Sequence, residues 1–276
     1  MRYVTAKGAK VPILGFGTWD VFGAEGRRTM EEVLSLGYRH IDTAQMHGNE
    51  DQIGAAMRSS GIDRSELFVV TKIDNGNHGR GATRRSTEES LFRLATDYID
   101  LLLIHWPSRS VPMAETLEAM AALKSEGKVR HLGVSNFTAA LLAEAVERRQ
   151  ADLLCNQVEY HPFLPQRDVR AALGRYGMML TAYSPLAKGR AARAPTLAAI
   201  GAKYGRTASQ VALSWLIEQD GVAAIPKASN RAHMIENLAA LDFALASEDR
   251  AAIDRFGGPK GRVNDVSGWS PAWDKD

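Results

Sequence analysis

Residues 101–105 read Leu101-Leu-Leu-Ile-His105, four apolar residues in a row and then a histidine. A strand with one wet face alternates apolar and polar residues. An unbroken apolar run ending in a polar residue is the pattern of a parallel strand covered on both faces. Ile13–Thr18, Arg39–Asp42 and Leu67–Lys72 carry related runs before it, and Val129–Ser135, Leu153–Gln157, Met179–Ser184 and Val222–Pro226 after it. Helical-period stretches lie between these runs, at 24–36, 50–60, 84–96, 113–126, 139–149, 167–175, 195–218 (a double segment) and 231–239. Thr138, Thr207 and Asn230 stand where N-caps belong, and Gly61, Gly127, Gly177 and Gly205 where helices stop. Eight strand–helix units predict a (β/α)8 barrel; the rival, an open doubly wound sheet, more often has five to seven strands. Ahead of the first unit, Tyr3–Ala6 and Ala9–Val11 flank Lys7-Gly8, which predicts a small hairpin over one barrel end.

The rest of the chain narrows the class. It has 276 residues, 45% of them hydrophobic, a net charge of +2 and one cysteine. That length builds a full core, and no linker or low-complexity tract divides it, so one domain over 1–276 is expected. A lone cysteine excludes an intrachain disulfide framework, and a near-zero charge balance argues against nucleic acid as a partner. The first twelve residues lack the apolar core of a signal peptide, and no apolar run approaches bilayer length. The expectation is a cytoplasmic enzyme with no membrane partner.

Nearly every predicted strand ends in a polar residue: Asp42-Thr43, Thr71-Lys72, His105-Trp106, Ser135-Asn136, Asn156-Gln157, Tyr183-Ser184 and Pro226-Lys227. In a barrel these ends converge on the mouth where such enzymes do chemistry. Asp42 and Lys72 would enter a low-dielectric cup from neighbouring strands, the carboxylate keeping the ammonium charged. An ammonium so held lowers the pKa of a nearby acid or stabilises a developing oxyanion, and His105 can orient a carbonyl or pass a proton. A buried structural ion pair beside a core histidine is the plainer alternative.

At these residues the chain resembles the aldo-keto reductases. Gly15-Phe-Gly-Thr-Trp19, Gly37-Tyr-Arg-His-Ile-Asp-Thr-Ala44, Gly48-Asn-Glu50, Leu103-Ile-His-Trp-Pro107, Gly133-Val-Ser-Asn-Phe137, Asn156-Gln-Val-Glu-Tyr-His-Pro162, Ala182-Tyr-Ser-Pro-Leu186 and Ile225-Pro-Lys227 carry the resemblance in family order. The short loops after His105 and Leu186 are similar to those of small bacterial members such as diketogluconate and methylglyoxal reductases. The resemblance implies a barrel binding NADPH across its C-terminal mouth, a small carbonyl substrate and a monomer. Asp42, Lys72 and His105 occupy three places of the family's Asp, Tyr, Lys, His tetrad. In the fourth, where the family has tyrosine, this chain has His47. Imidazole titrates near 6.5 but is shorter than phenol, and Lys72 beside it disfavours imidazolium, so reduced or redirected activity is expected.

The resemblance also implies cofactor contacts. It places Gly17 and Thr18 at the cofactor, Ser135, Asn136 and Gln157 at the nicotinamide carboxamide, and Tyr183 against the ring. Ser184 and Leu186 fall at the pyrophosphate, Lys227 at the adenosine phosphate, and Glu236 and Asn237 at the adenine. Where the family often has an arginine for the 2′-phosphate this chain has His233, with Ser229 and Arg231 as substitutes. Trp19, Trp106 and Trp269, with Phe22 and Trp273 as weaker candidates, are expected to wall the substrate pocket, the tail 265–276 closing over it.

Other signals are set aside. Gly15-Phe-Gly17 lacks the third glycine of a dinucleotide fingerprint, and Gly133–Phe137 lacks the last glycine of a nucleophile elbow. The histidines show no metal-ligand spacing, Cys155 reads as a core residue, and Arg80–Arg85 as a solvated face. Two rival functions stand beside the reductase. One is a cofactor-binding protein without catalysis, whether a sensor, a regulatory subunit or an inactive engineered variant. The other is a Schiff-base lyase using Lys72, against which Asp42 counts.

Overall fold

The structure, a computed structural model, describes residues 2–275. It opens with a hairpin, β1 (Tyr3–Ala6) and β2 (Ala9–Pro12), paired antiparallel. Both turn residues have positive φ, Lys7 at 44° and Gly8 at 81°, which matches the twist of the flanking strands. Lys7 reaches Asp152 at 3.4 Å, just ahead of the sixth barrel strand, so the hairpin covers the end opposite the mouth.

The chain then alternates: β3 (Phe16–Gly17), α1 (Gly23–Ser35), β4 (His40–Asp42), α2 (Glu50–Ser59), β5 (Phe68–Ile73), α3 (Arg80–Leu94), β6 (Ile99–Ile104), α4 (Met113–Ser125), β7 (Val129–Ser135), α5 (Ala139–Ala143). It continues with β8 (Leu153–Glu159), α6 (Arg167–Tyr176), β9 (Met179–Tyr183), α7 (Pro195–Tyr204), α8 (Ala208–Ile217), β10 (Val222–Ala224), α9 (Arg231–Leu238) and α10 (Ser247–Asp254). Strands β3 to β10 pair in parallel in sequence order. The ring closes through backbone bonds: Gly15 N–H to the Ala224 carbonyl and Ala224 N–H to the Ile13 carbonyl, both 2.9 Å, and Gly17 N–H to the Pro226 carbonyl at 3.2 Å. Closure excludes the open-sheet alternative, and the expected (β/α)8 barrel is the fold.

Burial explains the patterns. All six residues of β6 are buried, as are all seven of β8. α1 turns Met30, Val33 and Leu34 inward, a single apolar stripe. The expected caps are present: Thr207 and Gln210 form a reciprocal capping box on α8, while Thr138 and Asn230 accept from Leu141 N–H and His233 N–H.

Several boundaries differ from the sequence reading. α3 starts at Arg80 rather than at 84, because Gly79, with φ of 91°, stands at its N-cap and no Ser, Thr or Asp marks the start. The Arg80–Arg85 run is therefore helical, with Arg80 and Arg84 paired to Glu118 and Glu126. The first barrel strand contracts to Phe16–Gly17, with a lone bridge at Leu14. β8 runs two residues further than expected, to Glu159, and α10 was not anticipated.

Candidate active site

β4 and β5 are neighbours in register, Asp42 opposite Val70, and their ends bring two charges together inside the mouth. Lys72 Nζ lies 2.5 Å from Asp42 Oδ1 and donates also to the Thr43 carbonyl at 2.8 Å; both side chains are almost fully buried. Gln157 on β8 donates its Nε2 to the other Asp42 oxygen at 2.6 Å. A buried charge pair persists only when its remaining valences are filled, and here carbonyl and amide fill them.

His47 ends a single 3-10 turn, Gln45–His47, that leads out of β4 and is terminated by Gly48 in the left-handed region, φ 62°. Its Nδ1 lies 3.3 Å from Thr18 Oγ1. The Trp19 ring stands edge-on at 5.1 Å and the His105 ring at 6.1 Å. Burial, and then the Lys72 ammonium, push the His47 imidazolium down to about 2. Burial, Lys72 and His47 likewise hold His105 well below the ordinary histidine range. Both rings are neutral at physiological pH. His105 Nδ1 is buried with no partner among the described residues. An unfilled lone pair there costs less than a stranded N–H, so the tautomer with hydrogen on Nε2 is favoured.

The motif Gly48-Asn-Glu50 turns out to be the clamp behind this turn. Asn49, fully buried, accepts from Thr43 Oγ1 at 2.7 Å and donates to the carbonyls of Thr18 and Val21 at 2.9 Å each. Glu50, also buried, accepts from Thr71 Oγ1 at 2.6 Å and from Arg93 Nε at 2.8 Å. Asn49 thus ties the segment bearing Thr18 and Trp19 to the one bearing His47.

The remaining expected residues fall into two groups. Ser135, Asn136, Gln157 and Tyr183 form one network. Asn136, at φ 62°, donates to the His105 carbonyl at 3.0 Å and accepts from the Tyr183 hydroxyl at 2.8 Å, while Ser135 donates to the Gln157 carbonyl at 2.8 Å. Gly17 is required by the ring closure itself, since a Cβ there would meet the Ile225 carbonyl oxygen at 2.9 Å. Ser184, at φ 46°, accepts from Asn264 Nδ2 at 3.1 Å. The Leu186 carbonyl is taken up by the N–H groups of Gly189 and Ala191. The second group lies at the start of α9. Lys227 donates to Ser229 Oγ at 3.0 Å, and Arg231 pairs with Glu32 on α1 at 3.1 Å. Ser229 edges a cleft of about 630 Å³ shared with Glu25, Arg28, Thr29 and Glu32. His233 is exposed and its N–H is capped by Asn230; Asn237 is buried in the same helix. The Glu236 carboxylate is already engaged by Thr207 Oγ1 at 2.6 Å.

The tail lies over the mouth. Trp106 is buried, with Trp269 at 6.5 Å and Trp273 at 6.2 Å from its ring. Trp19 and Phe22 are over half exposed on the opposite rim. Several bonds hold the tail and its start: Glu159 accepts from the Val263 and Asn264 N–H groups, Lys188 Nζ donates to the Val263 carbonyl at 3.1 Å, Arg109 to the Ser270 carbonyl at 2.6 Å, and Ala139 N–H to Asp274 at 3.0 Å. Glu159 and Asn264 were not among the expected residues. Glu159 stands inside the Asn156–Pro162 motif, so a signal was present, but its partners lie a hundred residues away. Cys155 is buried against Thr181, and burial pushes its thiol up to about 12, which leaves it outside the chemistry.

Comparison with known proteins identifies the family. A model described as the aldo/keto reductase family matches residues 13–257. Methylglyoxal reductase DkgB of Escherichia coli O157:H7 is 37% identical over 267 residues, covering 96% of this chain and 99% of that one. An aldo-keto reductase of Mycobacterium sp. strain KMS is 38% identical over 247 residues, 89% of each chain. A solved structure provisionally described as a 2,5-diketo-D-gluconic acid reductase B superposes with a TM-score of 0.97 at 44% identity, covering 99% and 98% of the two chains. A mutant of Gox0644, solved in complex with NADPH, superposes with a TM-score of 0.90 at 31% identity over 96% and 97%.

Proposed function

Because the chain belongs to the aldo/keto reductase family, we propose that it reduces small aldehydes or ketones with NADPH, and that His47 at the proton-donor position slows or redirects the reaction. The observation that carries the reading is the buried Asp42–Lys72 pair beside two neutral imidazoles in one mouth.

The residues fit the cofactor by their donor chemistry. Lys227, Ser229 and the N–H groups opening α9 suit a phosphate. Arg231, in exchange with Glu32, is the candidate for the 2′-phosphate. Ser184 Oγ accepts from Asn264, so its own hydrogen is free for a pyrophosphate oxygen. Tyr183, anchored through its hydroxyl to Asn136, offers a fixed ring face, and Ser135, Asn136 and Gln157, whose hydrogens are directed to the Gln157 carbonyl, the His105 carbonyl and Asp42, offer their oxygens as acceptors to a carboxamide. When bound, the cofactor supplies hydride to the carbonyl carbon.

The chain's own groups then handle the oxygen. His105 presents Nε2–H to it, and His47 does the same when Thr18 donates to its Nδ1. Two neutral donors polarise the carbonyl and stabilise the oxyanion, with Lys72 adding its field. Neither neutral imidazole gives up a proton readily, so the alkoxide, held by these donors and by the Lys72 field, takes its proton from hydronium or buffer acid of the bulk solvent, whose conjugate base stays in solution. Loss of a positioned general acid is worth on the order of 10²–10⁴ in rate.

Loss of NADPH absorbance across a panel of small aldehydes tests the reading. His47→Tyr is expected to raise turnover by about 10²-fold or more. Native rates near the enzyme median of about 10 s⁻¹, unchanged in His47→Tyr, would overturn the role given to His47. A second reading, a cofactor-binding protein without catalysis, is favoured by the same residue. Quenching of NADPH fluorescence with no turnover, restored by His47→Tyr, would select it.

A further inference from the structure

The last residue of β8, Glu159, is fully buried, and its carboxylate is filled from two directions. His161 Nε2 lies 2.9 Å from Oε1 within its own strand end. From the tail come Val263 N–H at 2.6 Å, Asn264 N–H at 2.8 Å and Asn264 Nδ2 at 3.1 Å. The same Asn264 Nδ2 donates its second hydrogen to Ser184 Oγ at 3.1 Å. One amide group therefore bridges a buried carboxylate and the hydroxyl at the end of β9. Five residues beyond Asn264 comes Trp269, and nine beyond comes Trp273, the two rings packed on Trp106. Trp273 is further fixed by Arg262 stacked over it at 3.7 Å and by its Nε1–H to Asp265 at 3.1 Å.

We propose that Asn264 is a positioning residue that couples occupancy of the cofactor's pyrophosphate site at Ser184 to the docking of the tail that walls the carbonyl pocket. The inference rests on the reading of Ser184 as a cofactor contact. Its physical basis is polarisation along a hydrogen-bond chain. A phosphate oxygen that accepts from the Ser184 hydroxyl makes Ser184 Oγ a better acceptor for Asn264 Nδ2. The amide is then held against Glu159, and the tail start with it. A tail docked in this way narrows the pocket after the cofactor has entered, so the carbonyl meets finished walls. Removing the amide leaves both Asn264 N–H and Val263 N–H on Glu159, so the tail stays attached but loses its link to Ser184.

Hydrogen exchange of the tail with and without NADP⁺ reads this coupling without turnover. In the native chain NADP⁺ is expected to slow exchange over residues 263–274. In Asn264→Ala NADP⁺ still binds, the slowing disappears, and KM for a small aldehyde rises about five-fold with kcat within about three-fold, the worth of one hydrogen bond. Glu159→Gln places an amide among N–H donors and is expected to speed tail exchange in both states. Equal slowing in Asn264→Ala, or no tail response in a native chain that binds NADP⁺, would overturn the proposal. A native chain that takes up no NADP⁺ would sink the reductase reading itself, and the coupling with it.

Discussion

His47 carries a charge state that can be read in a pH profile. With its conjugate acid pushed down to about 2, it does not titrate between pH 5 and 8. An ordinary imidazolium donor would give a rate limb falling through about 6.5. The expected outcome is kcat/KM for aldehyde reduction without such a limb over that range; a limb centred near 6.5 that vanishes in His47→Tyr would show imidazolium donating after all. Burial is the larger cause of this neutrality, and the sequence foretells only the second, because Lys72 lies one strand away and like charge disfavours imidazolium. It does not foretell the tautomer of His105, which depends on whether anything buried faces Nδ1.

At the scale of elements, the clamp at the start of α2 is where a motif acquires its reason. Asn49 joins the Thr43 hydroxyl to two carbonyls in the segment after β3. Asn49→Ala strands those buried groups, at about 1–3 kcal/mol for each one left unpaired. A lower urea midpoint and a loosened Trp19 signal in fluorescence are expected, with Asn49→Asp recovering only the bond from Thr43. Gly133→Ala belongs to the same scale. Its Cβ would meet Leu103 Cδ2 at 2.6 Å and the Cys155 carbonyl at 2.7 Å, so β6 or β8 must move, and the midpoint falls again. The eight strand–helix units, the hairpin and most caps are legible in the chain because period and cap chemistry are local. The start of α3 is not, because a glycine stands where a capping side chain would. The partners of Glu159 are not either, because Val263 and Asn264 are set by the path of the tail across the mouth. Tail and mouth are separately legible from Trp106 and the two late tryptophans; the bridge through Asn264 is not.

For the whole molecule, histidines held neutral set an acid limit. His40, His47, His78 and His131 are held below the ordinary range, and His105 well below it, with burial the largest cause in each. Below about 6.5 the unfolded chain takes up protons on these rings more readily than the folded chain, so stability falls as pH falls and the loss is small above 6.5. His47, held down to about 2, by itself costs about 1.4 kcal/mol between pH 7.5 and 5.5, and the other rings add to the loss in the same direction. Urea unfolding at the two values checks this, and His47→Tyr is expected to reduce the dependence by about 1.4 kcal/mol. A stability independent of pH over that interval would contradict the buried neutral state.

The ring closure has a consequence in time. Ile13, Gly15 and Gly17 find their second neighbour only at Ala224 and Pro226. As the chain leaves the ribosome, its first barrel strand presents an unpaired edge until more than two hundred residues have followed. The short reach of β3, only Phe16–Gly17, keeps that waiting edge small, and a chain halted before β10 would carry an open, sticky arc rather than a smaller barrel.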